Sequence, residues 1–367
     1  MGWFKKLIAG LLLLAILLVI FAAWHLRKDA PVTIDEVYRD DEIAQTKRAV
    51  DNFIRIIDET KSTYAARGAH AKGHACVRAY FEVEKQLDPL LQHGIFRHPG
   101  ARHKAWIRFS NASSNVVQSD DRNKDTRGMA IKIIDAMPDE NGWLEGGPST
   151  QDFLMHSNPV FFAANVEDYN RVVESENKIL SFLEGANPFR WRLRELKHAL
   201  DTLAPPPPSP LLEDYFSNTA YRLGPQNIKF SAQTCTNEKQ AGAIPDDDPD
   251  FLRRALVGQL SGDPACFHFF VQLQIPGKYM PIEDPSVEWK PEDSPWRRVA
   301  TITIPVQDVT EDTHAAFCEN LSFSPWNSLR VHRPIGQLNR IRKRVYEASS
   351  VHRHEVNDAS IPAEFDW

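Results

Sequence analysis

The sequence predicts an α+β fold: an antiparallel β-barrel with inserted helices and a C-terminal helix, preceded by an N-terminal transmembrane helix. Three observations carry this expectation. Segments that alternate apolar and polar side chains recur along the chain, joined by hairpin-length gaps in places and by long excursions in others. Apolar residues at three- and four-residue steps mark a helix near residue 50 and another over Gln337–Val356. An uncharged run, Leu7–Trp24, opens the chain. The 367 residues divide accordingly into a membrane anchor or signal sequence over 1–28, a polar tether over 29–40 and one domain over 41–367.

The opening run, LIAGLLLLAILLVIFAAW, would span about 27 Å as a helix, close to the thickness of a bilayer's hydrocarbon core. A cleaved signal peptide is the competing reading. Cleavage after Ala23 would leave Phe21 where a small residue is needed, so an uncleaved anchor is preferred. Lys5 and Lys6 keep the short N-terminal tail in the cytoplasm under the positive-inside rule, although Arg27 and Lys28 pull the other way. The domain is then expected outside the cytoplasm, in the periplasm if the source is bacterial.

After the tether, Ile43, Val50, Phe53, Ile54 and Ile57 share a helical face. Gly68 and Gly73 bracket His70, and alternation begins. Over Cys76–Glu84, Val77, Ala79, Phe81 and Val83 face one way while Arg78, Tyr80 and Glu82 face the other. Further strands are expected at Ala105–Asn111, Gly128–Ile134, Asn227–Thr234, Ala265–Ile275 and Val299–Gln307. A long insertion runs from Asp168 to Ala204, and Pro205–Pro208 reads as a stiff surface connector. In the last helix Asn339, Arg342, Tyr346, Ser349 and Arg353 share one face, beside an apolar stripe of Leu338, Ile341 and Val345.

A formal net charge of -6 argues against a nucleic-acid partner, whose phosphates need excess Lys and Arg. Cys76, Cys235, Cys266 and Cys318 form no CxxC motif and are expected to be small buried hydrophobes.

Two clusters far apart in sequence carry the chemistry. His70, in Arg67-Gly-Ala-His70-Ala-Lys-Gly73, is a candidate general acid/base, since imidazole titrates near neutrality. Arg67 and Arg108 could grip carboxylates bidentately. In Arg342-x3-Tyr346-x6-Arg353, an arginine one helical turn from a phenol would stabilise the phenolate, a hard donor suited to ferric iron. Each cluster alone also fits ordinary structural or surface residues.

Taken together the segments resemble the catalase superfamily, from about Arg67 to Arg353. Arg67-x-x-His70-Ala-Lys-Gly73 matches the distal-histidine motif, and Arg108-Phe109-Ser110 the strand after it. Lys124-Asp-Thr-Arg-Gly-Met-Ala-Ile-Lys132 is similar to the family's RDxRGFAxK. Asp152-Phe-Leu154 through Asn158-Pro-Val-Phe161-Phe162 resembles the segment with the distal asparagine, and Arg342-x3-Tyr346-x6-Arg353 the proximal helix. Met280–Trp289 is like small catalase-related haem proteins.

The resemblance implies a haem b cofactor whose iron is held by Tyr346, with Arg342 keeping the phenol ionised. It implies that His70 moves a proton between the oxygens of a peroxide, that Ser110 orients His70, and that Arg67, Arg108 and Arg353 bind the haem carboxylates. Phe161 would line the distal pocket. An ungapped count back from Phe161 puts His156 where the family has its asparagine, with Asn158 two residues later, so either residue is a candidate for that role. The implied activity is heterolytic cleavage of the O–O bond of hydrogen peroxide or an organic hydroperoxide. A fatty-acid hydroperoxide isomerase or lyase of the allene oxide synthase type, and a haem-binding barrel without turnover, are the alternatives. The expected partners are the peroxide and a membrane, and a homodimer is compatible with the resemblance.

Overall fold

The computed structural model describes residues 2–25, 27, 30–116, 119–138, 141–144, 149–236, 244–245, 247–310 and 312–362. The expected passage from anchor to tether at 28–29, and the last five residues of the expected domain, lie outside the described residues. Among these, nine strands form one sheet: β1 (Gly73–Val83), β2 (Arg102–Asn111), β3 (Arg127–Ile133), β4 (Gln151–His156), β5 (Tyr215–Phe216), β6 (Tyr221–Leu223), β7 (Gln226–Thr234), β8 (Ala265–Leu273) and β9 (Arg297–Ile304). Their order is β5-β4-β3-β2-β1-β9-β8-β7-β6, and β5 also pairs with β7. Eight strands therefore close a barrel, with β6 attached to β7 outside the ring. All pairings are antiparallel. Closure leaves the eight ring strands without a free edge.

The barrel core is filled by one face of each strand. Val77, Ala79 and Phe81 of β1 meet Ile107 and Phe109, Ile131 and Ile133, Phe153, Phe230, Phe267, Phe269 and Ile302. Phe81, Phe153, Phe230 and Phe269 form a chain of ring contacts with centroids 4.9–6.1 Å apart. The six expected strands are all present with their ends shifted. β4 escaped notice because burial on both faces removes its alternation, and β5 and β6 are too short to show a period.

The described residues also form seven α-helices: α1 (Gly2–His25), α2 (Glu42–Thr60), α3 (Val166–Glu174), α4 (Leu193–Thr202), α5 (Phe251–Leu260), α6 (Asp312–Asn320) and α7 (Gln337–Val356). α1 is long and apolar enough to cross a membrane and is not covered by the rest of the chain. The apolar stripe of α7, Leu338, Ile341 and Val345, packs with Ala49, Val50 and Phe53 of α2 and Val166 of α3. One expected contributor departs: Ile43, in the first turn of α2, is 87% exposed.

The four cysteines are not free. Cys76 of β1 is bonded to Cys318 of α6, and Cys235 to Cys266 of β8. The expectation of four isolated thiols is overturned because the barrel brings together residues 242 and 31 positions apart. Behind β3, the buried Lys132 Nζ donates to Asp152 of β4 at 2.8 Å. Asp152 also accepts from Ser324 N (3.0 Å) and Asn327 Nδ2 (2.9 Å), which fixes the segment leading into α7 against the barrel. A buried ion pair with its lone pairs satisfied in this way fixes position more than it adds stability.

Candidate active site

Strand register builds one wall of the site. Ser110, Gly128 and His156 stand opposite one another across β2, β3 and β4, and Arg108, Ala130 and Leu154 form the adjacent row. Alternation turns these six outward, because Phe109, Met129 and Met155 between them face the core. α7 stands across this wall. Arg342, Val345, Tyr346, Ser349, Ser350 and Arg353 line the far side of a cavity with about 880 Å³ of empty space, part of it open to solvent.

The segment before β1 carries His70 onto this wall. His70 N donates to Ala112 O and Ala71 N to Ser113 O, both at 3.0 Å, while Arg108 Nη2 donates to His70 O at 2.8 Å. These bonds hold His70 at φ +56°, a left-handed conformation that costs a non-glycine residue on the order of 1–3 kcal/mol. The imidazole is thereby laid over Gly128, with Ser110 Oγ 3.1 Å from its Nδ1. A Cβ at position 128 would lie 2.5 Å from that nitrogen, so only glycine leaves room for the ring.

His70 and His156 meet with ring centroids 5.0 Å apart. Burial, then the neighbouring His156, Arg108 and Arg342, push the pKa of His70 well below its ordinary value. Burial and Arg342 bring His156 down to about 3. Both rings are therefore neutral at physiological pH, each with a lone pair available to take a proton.

On the opposite side Arg342 Nη2 donates to the Tyr346 hydroxyl at 3.1 Å, and Arg342 Nη1 to Asn339 Oδ1 at 3.1 Å. Burial opposes charge on Arg342, but the phenol oxygens of Tyr346 and Tyr221 outweigh it and raise its pKa. Asn339 is held in turn: its Nδ2 donates to Ala220 O and Ile335 O. The guanidinium beside Tyr346 is thus a permanent cation in a fixed position.

A third group of charges sits at the end of the cavity. Arg67 Nη1 donates to Glu319 Oε2 at 2.8 Å, and Arg353 Nη1 to Glu319 Oε1 at 3.2 Å. Arg108 lies close enough for burial and the charges of Arg67 and Arg353, against that of Glu319, to bring it down to about 9. Its Nε has no hydrogen-bond partner among the described residues. One carboxylate thus faces three guanidiniums, two of them buried, and a buried donor is left over. This arrangement fits a ligand that brings carboxylates of its own. With the Tyr346 phenol held by Arg342 in the same cavity and this leftover donor at its end, the residues present fit haem.

Of the residues singled out in the sequence, His70, Ser110, His156, Arg67, Arg108, Arg342, Tyr346 and Arg353 all line this one cavity. Asn158 and Phe161 do not. Asn158 Oδ1 accepts from Val160 N at 3.0 Å, closing a local turn. Phe161 stands behind His156, centroids 6.3 Å apart, and stacks on Phe162 and Tyr169. Sequence reasoning missed Glu319, which carries no motif and reaches the arginines because the neighbouring Cys318 ties α6 to β1.

A family model described as Catalase matches residues 55–179. A curated relative, Catalase C of Rhizobium meliloti (strain 1021), is 30% identical over 109 residues, which is 30% of this chain and 14% of that protein. The match therefore spans a small part of that relative's length. Among solved structures, a fungal catalase superimposes with a TM-score of 0.64 at 17% identity, covering 90% of this chain and 67% of the other. Catalase A from Saccharomyces cerevisiae gives 0.64 at 17% identity, with 92% and 72% covered. A bacterial catalase gives 0.60 at 16% identity, with 82% and 60% covered. At these identities the likeness to the solved structures is one of fold.

Proposed function

Because the chain is a catalase-related protein with the catalase fold, we propose that it is a haem-dependent hydroperoxidase, held at a membrane by α1, that cleaves the O–O bond of hydrogen peroxide or an organic hydroperoxide. The observation that carries this reading is the placement of His70 and the Arg342–Tyr346 pair on opposite walls of one cavity, with three arginines around a single carboxylate at its end.

Bound haem b would supply the redox-active iron. Tyr346 would hold that iron through its phenol oxygen, and Arg67, Arg108 and Arg353 would bind the haem carboxylates. The remaining chemistry belongs to the side chains. Ser110 at Nδ1 of His70 fixes the ring and leaves Nε2 to take a proton from one peroxide oxygen and return it to the departing one. The neutral state of His70 suits it to act first as a base. Arg342 counters charge on the phenol oxygen of Tyr346. His156, rather than Asn158, would hydrogen-bond the peroxide; its ring lies 5.0 Å from that of His70, while Asn158 Oδ1 accepts from Val160 N in a local turn.

Two disulfides favour an oxidising compartment, in keeping with α1 delivering the domain outside the cytoplasm. The deciding experiment is a visible spectrum of the haem-loaded protein with steady-state turnover of hydrogen peroxide and of a fatty-acid hydroperoxide. Tyr346→Phe should abolish the ferric–phenolate spectrum. His70→Ala should retain haem and lose turnover with both peroxides. An unchanged spectrum in the first variant, or unchanged turnover in the second, overturns the assignment.

A further inference from the structure

The insertion between β4 and β5 carries an apolar surface that neither the barrel nor the cavity uses. Ile179, Leu180, Phe189, Leu200 and Leu203 are all between 42% and 59% exposed. Leu196 and Leu200 lie one turn apart on α4, and Leu203 follows at its C-terminal end. Arg192 N donates to Phe182 O at 2.7 Å, which places the turn carrying Ile179 and Leu180 beside the turn carrying Phe189.

This surface adjoins the last turn of α1. Trp24 Nε1 donates to Phe189 O at 2.6 Å, and His25 Nε2 lies 3.0 Å from Pro188 O. The rings of Phe21 and Trp24 meet Phe189 edge-on at 5.8 and 5.9 Å. Trp24 and Trp191 both line the pocket at this junction, and tryptophan is enriched where a membrane helix leaves the hydrocarbon. A helix of α1's length ends close to that boundary. A loop packed on its final turn must then lie at the same depth.

We propose that residues 179–203 form a second membrane contact, in which Ile179, Leu180 and Phe189 enter the acyl–headgroup boundary of the bilayer that α1 spans. This rests on the reading of α1 as a membrane span. The partner is the apolar part of the bilayer rather than an anionic headgroup. Two arginines beside the junction are already paired, Arg192 Nε with Asp168 at 3.1 Å and Arg194 with Glu195 and Asp284 at 2.9 Å, while Arg190 next to Phe189 is exposed. Burial of exposed apolar side chains is favourable, and tethering by α1 makes the contact effectively intramolecular.

All four cysteines are in disulfides, so a cysteine introduced at an exposed site is the sole free thiol. The full chain carrying Leu180→Cys or Leu13→Cys is labelled with an environment-sensitive fluorophore and reconstituted into phosphatidylcholine vesicles with or without nitroxide-bearing lipids. Quenching of both labels, unchanged when anionic lipid is added, is the expected result. A quenched label at 13 with an unquenched label at 180 overturns the second contact and leaves the span standing. An unquenched label at 13 overturns the span and the second contact with it. Quenching at 180 that appears only with anionic lipid overturns the apolar mode of contact.

Discussion

His70 and His156 present two neutral imidazoles to the same corner of the cavity, with ring centroids 5.0 Å apart and planes inclined by 52°. Their closeness is itself one cause of the low pKa of His70, because a proton on one ring would repel a proton on the other. In the haem-loaded protein, kcat/KM for hydrogen peroxide should show no limb near pH 6.5, the ordinary imidazole value. A profile measured from pH 5 to 8 checks this. A fall in turnover centred on 6.5 would mean that one ring is solvated and charged.

Gly128→Ala should separate fold from catalysis. The added Cβ would stand 2.5 Å from His70 Nδ1 and 2.9 Å from Ser110 Oγ, while the backbone of β3 can accept alanine. The imidazole must move, and a displacement of about 1 Å at a reacting group typically costs on the order of 100-fold in rate. Circular dichroism and haem content should match the parent while kcat falls by about that factor.

Glu319→Gln should weaken the chain without haem more than the loaded protein. Glu319 is the one acceptor shared by Arg67 and Arg353, and burial of Arg108 and Arg353 already works against their charge. Breaking a buried pair costs roughly 3–5 kcal/mol, and partial exposure of Glu319 places this case at or below the lower end. Carboxylates of the bound group would replace the missing one. Denaturant melts of both forms should therefore show a stability loss in the haem-free protein that shrinks on loading.

Acid should destabilise the fold through its buried histidines. Burial brings His74 from 6.5 down to about 4, despite the opposing effects of Asp121 and Asn111. The unfolded chain takes up the proton as pH drops below about 6.5, whereas the folded chain does so only near 4. Stability is thus complete above pH 6.5 and falls between 6.5 and 4, by roughly 3 kcal/mol for this residue at about 1.4 kcal/mol per unit. Unfolding free energies measured between pH 7.5 and 4.5 should follow that slope. His74→Asn should flatten it without removing it, since His156 acts in the same direction.

Much of this architecture was readable because it is periodic or local. The alternation of Val77, Ala79, Phe81 and Val83 is the barrel's inner face, and the spacing of Arg342, Tyr346 and Arg353 is one side of a helix. What could not be read depends on partners distant in sequence. The row Ser110–Gly128–His156 exists only once three strands are in register. Glu319 has meaning only beside arginines from three other segments. The cysteines do carry a signal in the sequence. An even number of them downstream of an export-type apolar segment is a pattern for disulfides, and spacing alone could not say which pairs form.

The two disulfides should differ in what their loss does. Cys76–Cys318 closes a loop of 242 residues and Cys235–Cys266 one of 31. In the chain-entropy account these stabilise by about 5.5 and about 3.7 kcal/mol, so on stability alone Cys76→Ser/Cys318→Ser should cost about 2 kcal/mol more than Cys235→Ser/Cys266→Ser. Their sites differ more. Cys318 adjoins Glu319 and its carbonyl oxygen accepts from Arg67 Nη2 at 3.3 Å, whereas Cys235–Cys266 ties the ends of β7 and β8 away from the cavity. Removing the first bridge frees α6 and with it the carboxylate that spaces the three arginines. Haem affinity, measured by titration at a temperature where both variants remain folded, should fall in the Cys76/Cys318 variant and stay at the parental value in the other. Equal affinities would show that α6 is held by its packing, through Leu321 and Phe317 against Trp106, and that the bridge is not what positions Glu319.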